Sequence, residues 1–250
     1  MDHGSYLEQI EAQSIALRAA AELAGPDAPA PTCPPWNVHA LVSHIAAVHA
    51  WVLVAVGSPP GPHPPGFPTP PAEWPSLVGW WDEQRGRLLD TLASTDPDQP
   101  CWAFRTAPQR VGLWSRRQAH ETAIHRLDAE FAAAGNDLAD AVPTLMFDSE
   151  FAADGIEELF EVPMQVVFRH REPSGLEGTV LLHAADAGRT WQITLRPGKP
   201  PGFGPAKGAG VDTDTSITGT ADAVYRAVWG RPSTAVVTGN PALLAPITAP

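Results

Sequence analysis

Lysine is nearly absent: Lys199 and Lys207 are the only two in 250 residues. The chain carries 16 basic against 28 acidic residues, a formal net charge of -12 and a pI near 5.1. No basic stripe exists to neutralise a phosphate backbone or to dock on anionic lipid, so neither nucleic acid nor a membrane is an expected partner. Cysteine is equally scarce. Cys33 and Cys101 stand alone in loop-like contexts, with no metal-ligand spacing between them, and two free thiols in a cytoplasmic protein are the expectation. No apolar run reaches the roughly 18 residues that a membrane helix needs. The polar, acidic start (residues 1–6) lacks the basic-then-apolar order of a secretory signal.

What is present is an ordinary globular balance, 44% hydrophobic and 18% charged. Many of the 28 prolines gather in residues 26–35 and 57–71, which read as loops. Between these loops, helical spacing of apolar residues predicts helices over 6–23, 37–56 (Asn37 as N-cap), 73–92 and 114–134. Four amphipathic helices indicate a bundle. The pattern then changes. A helix over 147–160 is followed by alternating or β-branched runs at 164–170, 178–183, 190–195 and 213–218. A short helix (221–229), a last strand (234–238) and a small helical tail complete the chain. The fold class expected is α+β, with an N-terminal four-helix bundle over 1–140 and a smaller α/β domain over 141–250.

The chemistry-bearing residues fall on two of the predicted helices. His120-Glu121-Thr-Ala-Ile-His125 superficially matches the H-E-x-x-H pattern of zinc proteases, but with one residue too many between the histidines. At about 100° per residue, His120 and His125 lie about 140° apart and do not converge on one ion, whereas Glu121 and His125 lie within about 40°. Asp128 returns to the same stripe, and Arg117 precedes Glu121 by one turn. Ile124 and Phe131 flank the stripe, so it faces at least partly inward, where acids and imidazoles are costly to desolvate unless paired. On the second helix His39, His44 and His49 are five apart and face different directions. His44 falls within the apolar stripe of Leu41, Ile45, Val48 and Val52, and His49 lies on its flank. His44, Glu121 and His125 are therefore the candidate metal ligands. Two imidazoles and a carboxylate leave an open position, as expected of a catalytic rather than a structural zinc. Each part has a plainer explanation: an i, i+4 Glu/His pair is usually a surface hydrogen bond, a lone core histidine is usually a packed one, and the tryptophans are most simply packing, though some could wall a pocket.

The run Cys33-Pro-Pro-Trp36-Asn-Val38-His-Ala-Leu41-Val42-Ser-His44-Ile-Ala-Ala-Val48-His49 resembles the N-terminal signature of the mycothiol-dependent maleylpyruvate isomerase family, part of the wider DinB-like four-helix superfamily. Residues 116–128 resemble that family's metal-binding helix. Thr218-Gly219-Thr220-Ala221-Asp222, Trp229-Gly230-Arg231 and Thr238-Gly239-Asn240-Pro241 resemble its sterol-carrier-like C-terminal domain. The resemblance implies Zn2+, or another divalent metal, on His44, Glu121 and His125. It also implies mycothiol as the thiol cosubstrate, a small electrophilic substrate, and either cis-trans isomerisation or S-transfer. It further implies a functional arginine in the C-terminal domain, with Arg231 the first candidate and Arg226 the second. Asp128 and His49 are assigned to the cosubstrate, Asp128 by orienting a ligand or binding the thiol's amine or sugar hydroxyls. Arg117 and Arg231 are assigned to a substrate carboxylate. A monomer or homodimer is expected. The rival classes are a lipid or small-molecule carrier and a hydrolase using metal-bound water.

Overall fold

The computed structural model describes residues 1–135, 146–170, 172, 174–206 and 212–249. Its chain divides into two compact units, Met1–Val142 and Pro143–Pro250. The boundary expected near residue 140 lies outside the described residues.

The first unit holds four long helices, α1 (His3–Ala24), α2 (Val38–Val56), α3 (Trp74–Ser94) and α4 (Val111–Ala134). Their ends follow local chemistry. Asp2 caps α1 by accepting from the Ser5 N–H, and Asn37 caps α2 by accepting from the Ala40 N–H. Gly25 and Gly135 close α1 and α4 at positive φ, which other residues adopt only with strain. α4 starts three residues earlier than its apolar pattern suggests. Gly112 is drawn against the Pro97 carbonyl, its N–H donating at 2.7 Å, and an added Cβ would stand 3.1 Å from that oxygen.

α1 packs mainly on α4, and α2 on α3 and α4. Leu17, Leu41, Ile45, Leu77 and Trp81 are among the fully buried core residues. Each such aliphatic side chain stabilises the fold by roughly 1.5–3 kcal/mol. α2 is by length and composition apolar enough to cross a membrane, with mean hydropathy 1.7 over its best stretch, contrary to the expectation that no run reaches that length. Its apolar residues are those of a core helix, since Leu41, Val42, Ile45, Ala46, Val52 and Ala55 have no exposed surface. Trp51, Trp102, Phe104 and Trp114 form one aromatic cluster with centroids 5.2–6.1 Å apart.

The second unit begins with α5 (Ser149–Glu161) and α6 (Pro163–His170). The alternating run at 164–170 is thus a helix, not a strand. Pro163 suits a first helical turn, Arg169 and His170 suit the last, and the Val166 N–H donates to the Val162 carbonyl. Strands β1 (Gly178–Ala184), β2 (Arg189–Leu195), β3 (Gly202–Pro205), β4 (Thr215–Gly219) and β5 (Val236–Gly239) form one sheet in the order β3-β2-β1-β4-β5. β1 and β4 are parallel and the other pairings antiparallel. α7 (Ala221–Val228) lies between β4 and β5 in sequence and packs against α5, β1 and β4. Alternate residues Val180, Leu182, Ala184, Trp191, Ile193 and Leu195 are buried, so β1 and β2 each present one face to the core. β3 was not expected, because Gly-Phe-Gly-Pro reads as loop. It pairs with β2 as an edge strand, where proline is tolerated, and Phe203 stacks on Phe160 at 4.6 Å.

Candidate metal centre

The helical period puts Arg117, Glu121, His125 and Asp128 on one inward stripe of α4, and α2 brings His44 to meet it. His44 Nε2 donates to Glu121 Oε1 at 3.0 Å, and His125 Nε2 lies 3.4 Å from the same oxygen. One ligand atom from each residue lies within 4.8 Å of the others. The two imidazoles stand edge to face, 4.9 Å between centroids. Trp36, at the end of the loop before α2, walls the pair, with its ring 5.0 Å from His44 and 6.1 Å from His125. The His44 side chain is 32% exposed and that of His125 only 10%, so the cluster is reached from the His44 side.

Charge is arranged around Glu121. Burial raises its pKa, but the Arg117 guanidinium, paired with Oε2, and hydrogen bonds from His125 and His44 hold it well below the usual carboxylate range. For His125, burial favours the neutral ring. Hydrogen bonds with Asp128, Cys33 and Glu121 outweigh it and hold the pKa well above the usual value. The His125 Nδ1 faces Asp128 Oδ2 at 3.0 Å.

The donor set fits a divalent cation. Bonds of about 2.0–2.1 Å at tetrahedral angles place donor atoms about 3.4 Å apart, close to the 3.0 and 3.4 Å found here. Two imidazoles and one carboxylate suit zinc and leave coordination positions for other ligands.

The remaining predicted residues are placed less uniformly. Arg117 is buried against Glu121, so its guanidinium is engaged there. Asp128 has no exposed surface, and Thr32, Cys33 and His125 engage its two oxygens. His49 is not brought among the ligand atoms. Its Nε2–H faces Thr122 Oγ1 at 3.1 Å and its Nδ1 accepts from Trp81 Nε1 at 3.2 Å, with the ring wholly buried. Both nitrogens are thus committed within the core rather than presented to a cosubstrate. Arg231 and Arg226 belong to the second unit. Arg231 donates to the Trp229 carbonyl just beyond α7. Arg226 Nε pairs with Asp222 Oδ2 at 2.9 Å, and Asp222 also accepts from the Phe147 N–H. The contacts of Thr32 and Cys33 with Asp128 escaped the sequence reading, and of the tryptophans it allowed as pocket walls Trp36 is the one set against the two imidazoles. Cys33 lies 95 positions from Asp128, and no local spacing signals that contact.

Sequence profiles agree with this architecture. The mycothiol maleylpyruvate isomerase N-terminal domain matches residues 7–130, and the MDMPI C-terminal domain matches residues 150–246. The chain belongs to the mycothiol-dependent maleylpyruvate isomerase family of enzymes. A solved mycothiol-dependent maleylpyruvate isomerase superposes with TM-score 0.60 at 12% identity, covering 95% of this chain and 93% of that one. A point mutant of a mycothiol-dependent maleylpyruvate isomerase gives TM-score 0.59 at the same identity and coverage. At that identity the likeness shows the family's fold. No curated protein matches the sequence.

Proposed function

We propose that the protein is a zinc-dependent enzyme that activates mycothiol, or a similar small thiol, for attack on an electrophilic small molecule in the cytoplasm. The observation that carries this reading is the convergence of His44 Nε2, Glu121 Oε1 and His125 Nε2 from two helices, with one side open to solvent. Zinc on these three residues would supply the positive charge that deprotonates a thiol, whose ordinary pKa of about 8.5 leaves only a few per cent thiolate at pH 7.

The chain's own groups account for the rest. Glu121, kept ionised by Arg117, contributes the one negative charge of the donor set. His125 would hold the metal through Nε2, with its Nδ1–H kept on Asp128. Trp36 covers the two imidazoles and limits water beside the sulfur nucleophile. Arg231 is retained as the candidate for a substrate carboxylate, whereas Arg117 serves Glu121. When the electrophile is a cis enedioate such as maleylpyruvate, sulfur adds to one alkene carbon and a proton to the other. Rotation about the resulting single bond and elimination of the same thiol then return the trans isomer. When the electrophile carries a leaving group or an epoxide, the S-conjugate is the product.

Metal content of the purified protein, and turnover of maleylpyruvate with and without mycothiol, test this reading. Stoichiometric zinc that is lost in His125→Ala, with thiol-dependent turnover of maleylpyruvate or another electrophile, is expected. Turnover unchanged after removal of all thiols would overturn the thiol mechanism, and zinc retained by His125→Ala would overturn the ligand assignment.

A further inference from the structure

We propose that Thr32 and Cys33 are positioning residues that act through Asp128 to fix the ring of His125 with Nε2 turned toward Glu121 and His44. The inference rests on reading those three residues as a metal centre, and it concerns how this chain holds one of them.

The Asp128 carboxylate has no exposed surface, a placement that costs several kcal/mol unless donors compensate it. Its donors are specific. Thr32 Oγ1 donates to Oδ1 at 2.6 Å, while Cys33 Sγ and His125 Nδ1 both donate to Oδ2 at 3.0 Å. A carboxylate pinned by hydroxyl and thiol cannot swing away from the imidazole. The imidazole, holding its Nδ1–H on that carboxylate, keeps Nε2 on the opposite edge for a metal.

The clamp also joins the two ligand helices. Thr32 and Cys33 belong to the loop that continues through Trp36, the wall over His44 and His125, to Asn37, the cap of α2. One short stretch therefore holds Asp128 of α4, covers the imidazoles and starts the helix that carries His44. Cys33, His125 and Asp128 also lie close enough to form a ligand set of their own. In the clamp, however, Cys33 Sγ is spent on Asp128 Oδ2 at 3.0 Å, so the proposal makes Cys33 a donor and not a ligand.

Zinc affinity, measured by competition with a chelating dye, tests the assignment in the full-length chain. Asp128→Asn and the double variant Thr32→Val/Cys33→Ala are each expected to weaken zinc binding about 10–100-fold. Cys33→Ser, which keeps a donor, should stay near wild type, and circular dichroism checks that each variant folds. Wild-type affinity in the double variant would overturn the clamp, as would a loss in Cys33→Ser equal to that in Cys33→Ala. Cobalt substitution checks the role of the sulfur. A sulfur-to-cobalt charge-transfer band in the wild type that disappears in Cys33→Ala would make Cys33 a ligand and overturn the proposal. A readout without metal separates this inference from the metal reading. In the metal-free protein, nuclear Overhauser contacts between the His125 and Trp36 rings should weaken in Asp128→Asn and in the double variant. If the wild type binds no zinc, the metal reading fails, and persistence of those ring contacts in the variants still decides against the clamp.

Discussion

His49 and His125 shift in opposite directions, although burial favours the neutral form of both rings in the same helical core. With no carboxylate bonded to it, His49 has its pKa pushed down to about 3, chiefly by desolvation. In the unfolded chain it titrates near 6.5. Between those values the unfolded state binds the extra proton, so stability falls as pH drops through that window, approaching ~1.4 kcal/mol per pH unit for this residue. Denaturant unfolding measured across the window should show this slope, and His49→Gln should remove one proton's share of it. Arg117 makes a different prediction. It compensates the buried Glu121, so Arg117→Met should destabilise the metal-free protein by roughly 3–5 kcal/mol. Zinc should narrow that gap, because a bound cation also faces Glu121. Urea unfolding with chelator and with zinc measures both. An equal gap under the two conditions would show that Glu121 does not sense the cation. At this scale the sequence permits the pairing of Glu121 with His125 and Arg117, since both partners are one turn away. It does not reveal the commitment of His49 to Thr122 and Trp81, which lie on other helices.

At the level of elements, helices with a strong cap and a sustained apolar stripe are legible, and α2 with Asn37 is the clearest case. Residues 163–170 are not, because a short run with mixed apolar spacing satisfies both periods, and α6 is decided by continuation from α5. β3 is hidden for the opposite reason. Its glycines and proline carry no strand signal, and only pairing with β2 extends them. Pairing also constrains β5 through Gly239, which sits at φ 84°, where an added Cβ would lie 2.0 Å from the Asp214 carbonyl oxygen. Gly239→Ala is therefore expected to lower stability by at least about 2 kcal/mol, from strain plus the clash with backbone. Gly204→Ala in β3, where nothing lies within 4 Å of the new Cβ, should stay within about 1 kcal/mol. Scanning calorimetry of the two full-length variants distinguishes them.

For the whole molecule, a metal that binds only the folded state adds to its stability, by about 2.7 kcal/mol at a hundredfold excess over Kd. The raised pKa of His125 gives this gain a pH dependence of predictable sign. At lower pH the proton on Nε2 competes with the metal, so the rise in Tm on adding zinc should be larger at pH 8 than at pH 6. His125→Ala should show no rise at either pH, and a zinc-induced shift in that variant would point to a different site. By itself the sequence determined which side chains share a helical face and which strand positions alternate inward, because both periods follow from local backbone geometry. It thereby brought Glu121 and His125 together and turned His44 toward them. Only the tertiary structure decided that Thr32 and Cys33 close on Asp128, that Trp36 covers the imidazoles and that His49 is sealed in the core. Those contacts join residues far apart in the chain, and packing, not helical period, selects them.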